Sequence, residues 1–256
     1  MSVSAFTRAS SRISVIVVIL FLEAASTGCH HYVTPGAGVS LDTLVNVDED
    51  IAERLKRSPA SPFPARMAVV RVQAPNYRSY RSEGYGHGTY SVVTTREIER
   101  DEHFDRIAHL PQVSGLAALN LLVIPSELKS DKELRLAAAS VKADLLLLYS
   151  INTVFRVDGL ELGPLQVIAL GTLPSNEAKV TATASAAIMD VRTGYIYGLA
   201  ESTAQASELA SAWIMEHVVD HSRLKAETES FEKLLGEVEK TWAGVVQQYA
   251  APVAMR

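Results

Sequence analysis

The chain has 256 residues, 48% of them apolar and 21% charged, with a net charge of −5. Apolar content on this scale supplies a real core, and the acidity argues against nucleic acid, whose binding proteins gather positive charge against phosphates. Cys29 is the only cysteine, which excludes an internal disulfide framework.

The N-terminus carries Arg8 and Arg12, then an uncharged apolar run from Ile13 to Leu22, then Ser26-Thr27-Gly28-Cys29. A basic start, a short apolar stretch and a small-residue cleavage region define a secretory signal peptide. The run is too short for a transmembrane helix, which needs roughly 20 apolar residues. This end resembles the lipobox of bacterial lipoproteins, with Ser26 and Glu23 departing from the usual pattern. The resemblance implies cleavage before Cys29, which frees this cysteine for acylation, and, because His30 follows instead of Asp, an outer-membrane address facing the periplasm. Palmitate-type acylation also explains an unpaired cysteine in an exported chain. Loss of residues 1–28 leaves 22 basic and 28 acidic residues, a net of −6.

Residues 29–65 read as a flexible tether, with Pro35, Gly36, Gly38, the acidic trio Asp48-Glu49-Asp50, and Pro59, Pro62 and Pro64. A short helix is expected within Leu44 to Leu55, and the prolines end it. A single domain is then expected over 66–256. Met67 to Val72 is a compact apolar β-run. The loop from Asn76 to Tyr90 follows, with Tyr77, Tyr80, Tyr85 and Tyr90 among Gly84, Gly86, His87 and Gly88. Tyr90 to Thr95 reads as a strand, Glu97 to His109 as a charged helix, and Leu116 to Ile124 as a further strand.

Asp131 to Ala143 has helical periodicity. Leu145 to Val157 begins as an uninterrupted apolar run and then alternates, as expected of a strand buried on both faces that emerges toward solvent. The stretch from Gly159 to Leu173 is an apolar insertion. In it, Leu165, Val167, Ile168 and Leu170 form either an exposed contact loop or a loop folded on the core. Lys179 to Asp190 alternates, Asp190 to Gly194 has turn chemistry, and Tyr195 to Ala204 returns, giving a long β-hairpin. Phe231, Leu235, Val238, Trp242, Val245 and Tyr249 recur at steps of 4, 3, 4, 3 and 4, the stripe of a C-terminal helix that docks on a sheet. The expected class is α/β (α+β): a mixed β-sheet flanked by helices, with a hairpin and a long C-terminal helix.

A first strand "MAVV", a helix ending in "AAASVKAD", a strand "LLLLYSI" and a hairpin turning at "MDVRTG" together resemble a superfamily of periplasmic lipoproteins. It holds the curli secretion-channel lipoprotein (CsgG), the lipoprotein activators of penicillin-binding proteins (LpoB) and the N-terminal domain of the Tol translocation protein (TolB). The resemblance covers roughly 67–250 in element order and implies a non-enzymatic domain that binds other envelope proteins. It does not imply a pore: transmembrane strands need about 9–11 residues each, and Gly163, Pro164 and Gly171 interrupt the only apolar insertion.

Chemistry is sparse. The sole cysteine lies at the cleavage site, which removes a thiol nucleophile, and neither a Gly-x-Ser-x-Gly elbow nor a phosphate loop occurs. His217 and His221 have the i, i+4 spacing that chelates a metal, but Val218, Val219 and Asp220 between them leave no glutamate base in the motif. They read as exposed histidines. No metal and no cofactor is expected. Tyr77, Tyr80, Tyr85, His87 and Tyr90 form either a flexible surface loop or an aromatic recognition loop for protein or glycan. The expected function is an envelope lipoprotein that binds or positions a partner protein, anchored in the membrane by its N-terminal lipid. The alternatives are a hydrolase of peptidoglycan or glycan, which needs two carboxyl groups about 5–10 Å apart, and a self-assembling ring or filament subunit.

Overall fold

The computed structural model describes residues 37–41, 51–159, 176–210 and 215–250. The elements in chain order are α1 (Ile51–Lys56), β1 (Ala65–Gln73), β2 (His87–Gly88), β3 (Ser91–Val93), α2 (Asp101–Ala108), β4 (Val113–Ala118), β5 (Glu127–Leu128), α3 (Asp131–Ser140), β6 (Leu145–Gly159), β7 (Asn176–Asp190), β8 (Ile196–Ala210) and α4 (Met215–Tyr249). The class is α+β, a mixed sheet flanked by helices.

The sheet runs β3-β1-β6-β7-β8, and β4 shares the outer edge of β1 with β3. β1 is parallel to β6, with Met67 opposite Leu145 and Arg71 opposite Tyr149. It is also parallel to β4 and antiparallel to β3. β6, β7 and β8 are each 15 residues long and form an antiparallel trio. A two-stranded ribbon, β2 with β5, stands apart.

The apolar runs follow from burial on both faces. Met67, Val69, Leu145, Leu147, Tyr149 and Ile151 enter one cluster with Phe231, Leu235, Val238 and Trp242 of α4. The alternate residues Ala68, Val70, Leu146 and Leu148 enter a second cluster with Leu134 and Ala138 of α3. On β7, Val180, Ala182, Ala184, Ala186 and Ile188 hold one parity, and their mostly small side chains let α4 lie close. α4 has 35 residues, about 52 Å at 1.5 Å per residue, which matches strands of about 50 Å. α3 starts at a capping box, with Ser130 Oγ accepting from Lys132 N and Ser130 N donating to Glu133 Oε2 at 2.9 Å.

Three expectations change. The strand placed at Leu116 to Ile124 is observed at Val113–Ala118. Asn120 Oδ1 accepts from Leu122 N and turns the chain there, so Leu119 and Ile124 reach the second cluster from a loop. The helix expected from Glu97 begins at Asp101, because Glu97 and Glu99 are drawn into a buried cluster described below. The tether drawn to residue 65 also stops earlier. Ala60 N and Ser61 Oγ donate to Asp190 Oδ2 at 2.8 Å, and Phe63 packs against Tyr197 and Trp242. Residues 37–41 are bonded to the sheet as well. The prolines that stop a helix here serve docking as readily as mobility.

Candidate functional site

The Tyr/Gly loop divides in two. Tyr77 and Tyr90 are buried, at 2% and 0% exposure. Tyr90 donates to Ser130 O at 2.8 Å, and burial pushes its hydroxyl pKa up. Tyr77 Oη accepts from Arg71 at 3.3 Å. Tyr85 is half-buried against the second cluster, whereas Tyr80 and His87 are exposed. Reading Tyr77 and Tyr90 as recognition groups is therefore corrected: their rings are core, and the loop is anchored by them. The glycines have the same cause. Gly88 has φ +135, and a Cβ there would meet Leu128 O, so its bareness lets this backbone pair with β5.

Beneath this loop lies a buried convergence of ionisable groups, which the sequence reading missed; a second group, Arg100, His103, Arg106, Glu232 and Glu239 between α2 and α4, is mostly exposed to solvent. Arg71 comes from β1, Glu97 and Glu99 from the segment before α2, and Asp220, Arg223 and Glu227 from the first half of α4. Arg223 donates to Asp220 Oδ1 at 2.8 Å, Glu227 Oε2 at 2.9 Å and Glu97 Oε2 at 3.0 Å. Arg71 reaches Glu99 at 3.4 Å and Glu227 at 3.9 Å. Two guanidinium groups face four carboxylates, and neutral hydroxyls serve the surplus. Tyr149 donates to Glu99 at 2.8 Å, Ser79 to Glu97 at 2.9 Å and Thr153 to Glu227 at 2.8 Å. Arg81 adds a solvent-side charge 3.9 Å from Asp220.

Electrostatics here favour the charged arginines. Burial alone would lower the Arg71 pKa, but Glu99, Tyr77 and Glu227 raise it on balance. Arg223 behaves likewise beside Glu227 and Glu97. Burial, then the Glu99 charge, pushes Tyr149 well up, which keeps its hydroxyl a donor. All six charged groups except Asp220 have side chains no more than 2% exposed. The cluster braces α4 against β1, β6 and the 77–99 segment. A signal existed in the sequence: Arg71 inside an apolar strand demands a buried partner.

The remaining candidates lie elsewhere. His221 Nδ1 is 2.8 Å from Glu208 Oε1, and His217 is exposed. No group of three His, Cys, Asp or Glu side chains is placed to hold a metal among the described residues. Cys29, Leu165, Val167, Ile168 and Leu170 fall outside the described residues. No helix of the described residues is long and apolar enough to cross a membrane.

On the other side of the sheet from the cluster, the face opposite α4 is exposed along the outer half of β6–β8. Asn152, Val154, Glu201, Thr203 and Gln205 point there, and Thr183 and Thr203 hydroxyls meet at 3.0 Å. Residues 37–41 lie at its border, beside an open apolar cleft of about 360 Å³ lined by Val39, Leu41, Leu148, Ala187 and Leu199.

No family model matches the chain. No curated protein does either. Among solved structures, a candidate lipoprotein from Caulobacter crescentus CB15 is 12% identical and has a TM-score of 0.28, with 40% of this chain and 69% of that one covered. A Xanthomonas campestris protein of the DUF330 family is 13% identical at TM-score 0.32, over 75% of this chain and 94% of its own. A hypothetical protein from Chlamydia trachomatis is 13% identical at TM-score 0.27, over 73% and 98%. Similarity at this level is too slight to carry an argument, and the fold stands on the topology above.

Proposed function

We propose that the protein is an envelope lipoprotein: acylated at Cys29, held at the outer membrane facing the periplasm, and acting by binding a partner protein without catalysing a reaction. The observation that carries this reading is the N-terminal series, Arg8 and Arg12, the apolar run 13–22 and Ser26-Thr27-Gly28-Cys29. It is supported by where the reactive groups sit. The buried carboxylates, arginines and hydroxyls bond mainly to one another, with only Asp220 reaching toward solvent, whereas a catalytic set must meet its substrate. The partner-facing residues on this reading are Tyr80 and His87, the exposed ones among the five aromatic candidates of the Tyr/Gly loop.

Intact mass of membrane-extracted protein, beside a Cys29→Ser variant, tests the anchor. The expected product begins at Cys29 and carries acyl mass that the variant lacks. A chain that keeps residues 1–28, or remains in the cytosol, sinks the reading.

A further inference from the structure

A lipid on Cys29 sets where the domain sits only through the chain that joins them. Were residues 29–65 all free, that chain would reach about 120 Å when extended. It is not all free. Gly38 N donates to Asn152 Oδ1 at 3.3 Å and Val39 N to Ser150 Oγ at 2.9 Å. Ala74 N donates to Ala37 O at 3.1 Å. The receiving side is itself held: Ser150 Oγ donates to Gln73 Oε1 at 3.0 Å, and buried Gln73 Nε2 donates to Ile151 O at 2.9 Å. A Cβ at residue 38 would lie 3.1 Å from both Asn152 Cβ and Ser150 Oγ, so this strap fits because Gly38 has none. Val39 and Leu41 then pack on the second core cluster.

We infer that residues 37–41 are a docked strap that ends the leash, so that the strap-bearing face of the sheet is the membrane-proximal side of the lipoprotein. This inference rests on the lipid reading of Cys29. Eight peptide steps separate Cys29 from Ala37, a reach of about 28 Å at most. The border of the open β6–β8 face is thus held close to the bilayer, and α4, on the opposite face, points away from it. A partner met through the strap side is one that lies in or on the same membrane.

Two measurements test this, the first without the lipid. In the Cys29→Ser chain, hydrogen exchange at the Ala74 amide is expected to speed up about tenfold or more when Gly38→Val and Val39→Asp are introduced together. The core amide of Val69 should not change. Equal exchange at Ala74 in both chains overturns the strap. The second uses acylated protein in phosphatidylethanolamine–phosphatidylglycerol vesicles with an energy acceptor on the head groups. Acylation of Cys29 leaves an introduced thiol, Leu199→Cys or Lys233→Cys, as the only labelling site for the donor. Transfer is expected to be about twofold higher from 199 than from 233, and the difference should vanish with the strap substitutions, because the tether then runs free as far as the docked residues 60–61. Equal transfer in the unaltered strap overturns the placement. A wild type that does not stay on the vesicles overturns the lipid reading and the placement with it, while exchange at Ala74 still reports whether the strap docks.

Discussion

Asp190, at the turn between β7 and β8, is a single buried carboxylate served by three backbone N–H groups and two hydroxyls. The cluster around Arg71 and Arg223 sets two guanidinium groups against four carboxylates. Asp190 Oδ1 accepts from Arg192 N and Thr193 N at 2.8 and 3.0 Å, while Oδ2 accepts from Ala60 N, Ser61 Oγ and Tyr197 Oη. The partners of Arg223 are all side chains, one of them 126 residues away. Backbone donors to a carboxylate come with the turn and cost little extra ordering. Side-chain partners must each be fixed in one rotamer, at up to about 2 kcal/mol apiece, and removal of one leaves the others charged and dry. The two centres therefore differ in how they fail.

The cluster should fail hardest. Arg223→Met leaves Glu97, Glu227 and Asp220 without their shared cation, and breaking a buried pair in this way costs about 3–5 kcal/mol. Urea unfolding of the lipid-free chain reads this directly. A loss below about 1 kcal/mol would mean that water already reaches the cluster, and the contrast between the two centres would collapse. The double variant Arg223→Met, Glu227→Leu should recover part of the loss, because one of the stranded charges goes with it.

Asp190→Asn should cost less, about 1–3 kcal/mol at pH 7, since the donors keep an oxygen on one side only. It should also change the acid limb of stability. Burial pushes the Asp190 carboxyl up, but hydrogen bonds from Ala60, Thr193, Ser61 and Arg192 outweigh it and hold the pKa below the usual carboxylate range. A depressed folded pKa gives stability that is complete above the unfolded value, about 3.9, and is lost as pH falls through the lower folded value. The gap between parent and Asp190→Asn should therefore narrow below about pH 4. A gap that stays constant from pH 7 to pH 3 contradicts the carboxylate's role. Ser61→Ala is the milder version. It removes the one hydroxyl donor whose Oγ lies 2.8 Å from both Asp190 Oδ2 and Asp144 O, and a midpoint shift worth about 1 kcal/mol is expected. No shift would show that residues 57–64 do not dock in solution.

What could be read from the sequence follows the same division. The hairpin was legible because alternation and Asp190-Val191-Arg192-Thr193-Gly194 are local signals. The central strands were legible because burial on both faces leaves an unbroken apolar run. Glu97 and Glu99 were not, since a charged residue looks the same in sequence whether it faces water or a buried arginine. Tyr77 and Tyr90 misled for a related reason: an aromatic in a glycine-rich loop anchors the loop or serves a ligand, and only the packing partner decides. The strap at 37–41 was hidden by composition, because small residues and glycine suit a mobile spacer and a close-packed backbone equally well.

The smallest effect on stability falls at Tyr80, and it is the most informative about the loop. Tyr77 is 2% exposed and Tyr80 is 42% exposed, three residues away. Tyr77→Ala removes a buried ring and should cost about 3 kcal/mol or more, which reports only on the core. Tyr80→Ala removes a surface ring and should stay within about 0.5 kcal/mol of the parent. Any loss of partner contact in that variant is then separable from unfolding. A photo-cross-linking residue at 80 in cells is expected to give a discrete envelope-protein adduct, whereas the same group at Lys240, on the outer side of α4, is not. Adducts at neither position, in a chain that remains membrane-bound and folded, would remove the Tyr/Gly loop from the binding surface. The open face beside the strap would then be the surface to probe.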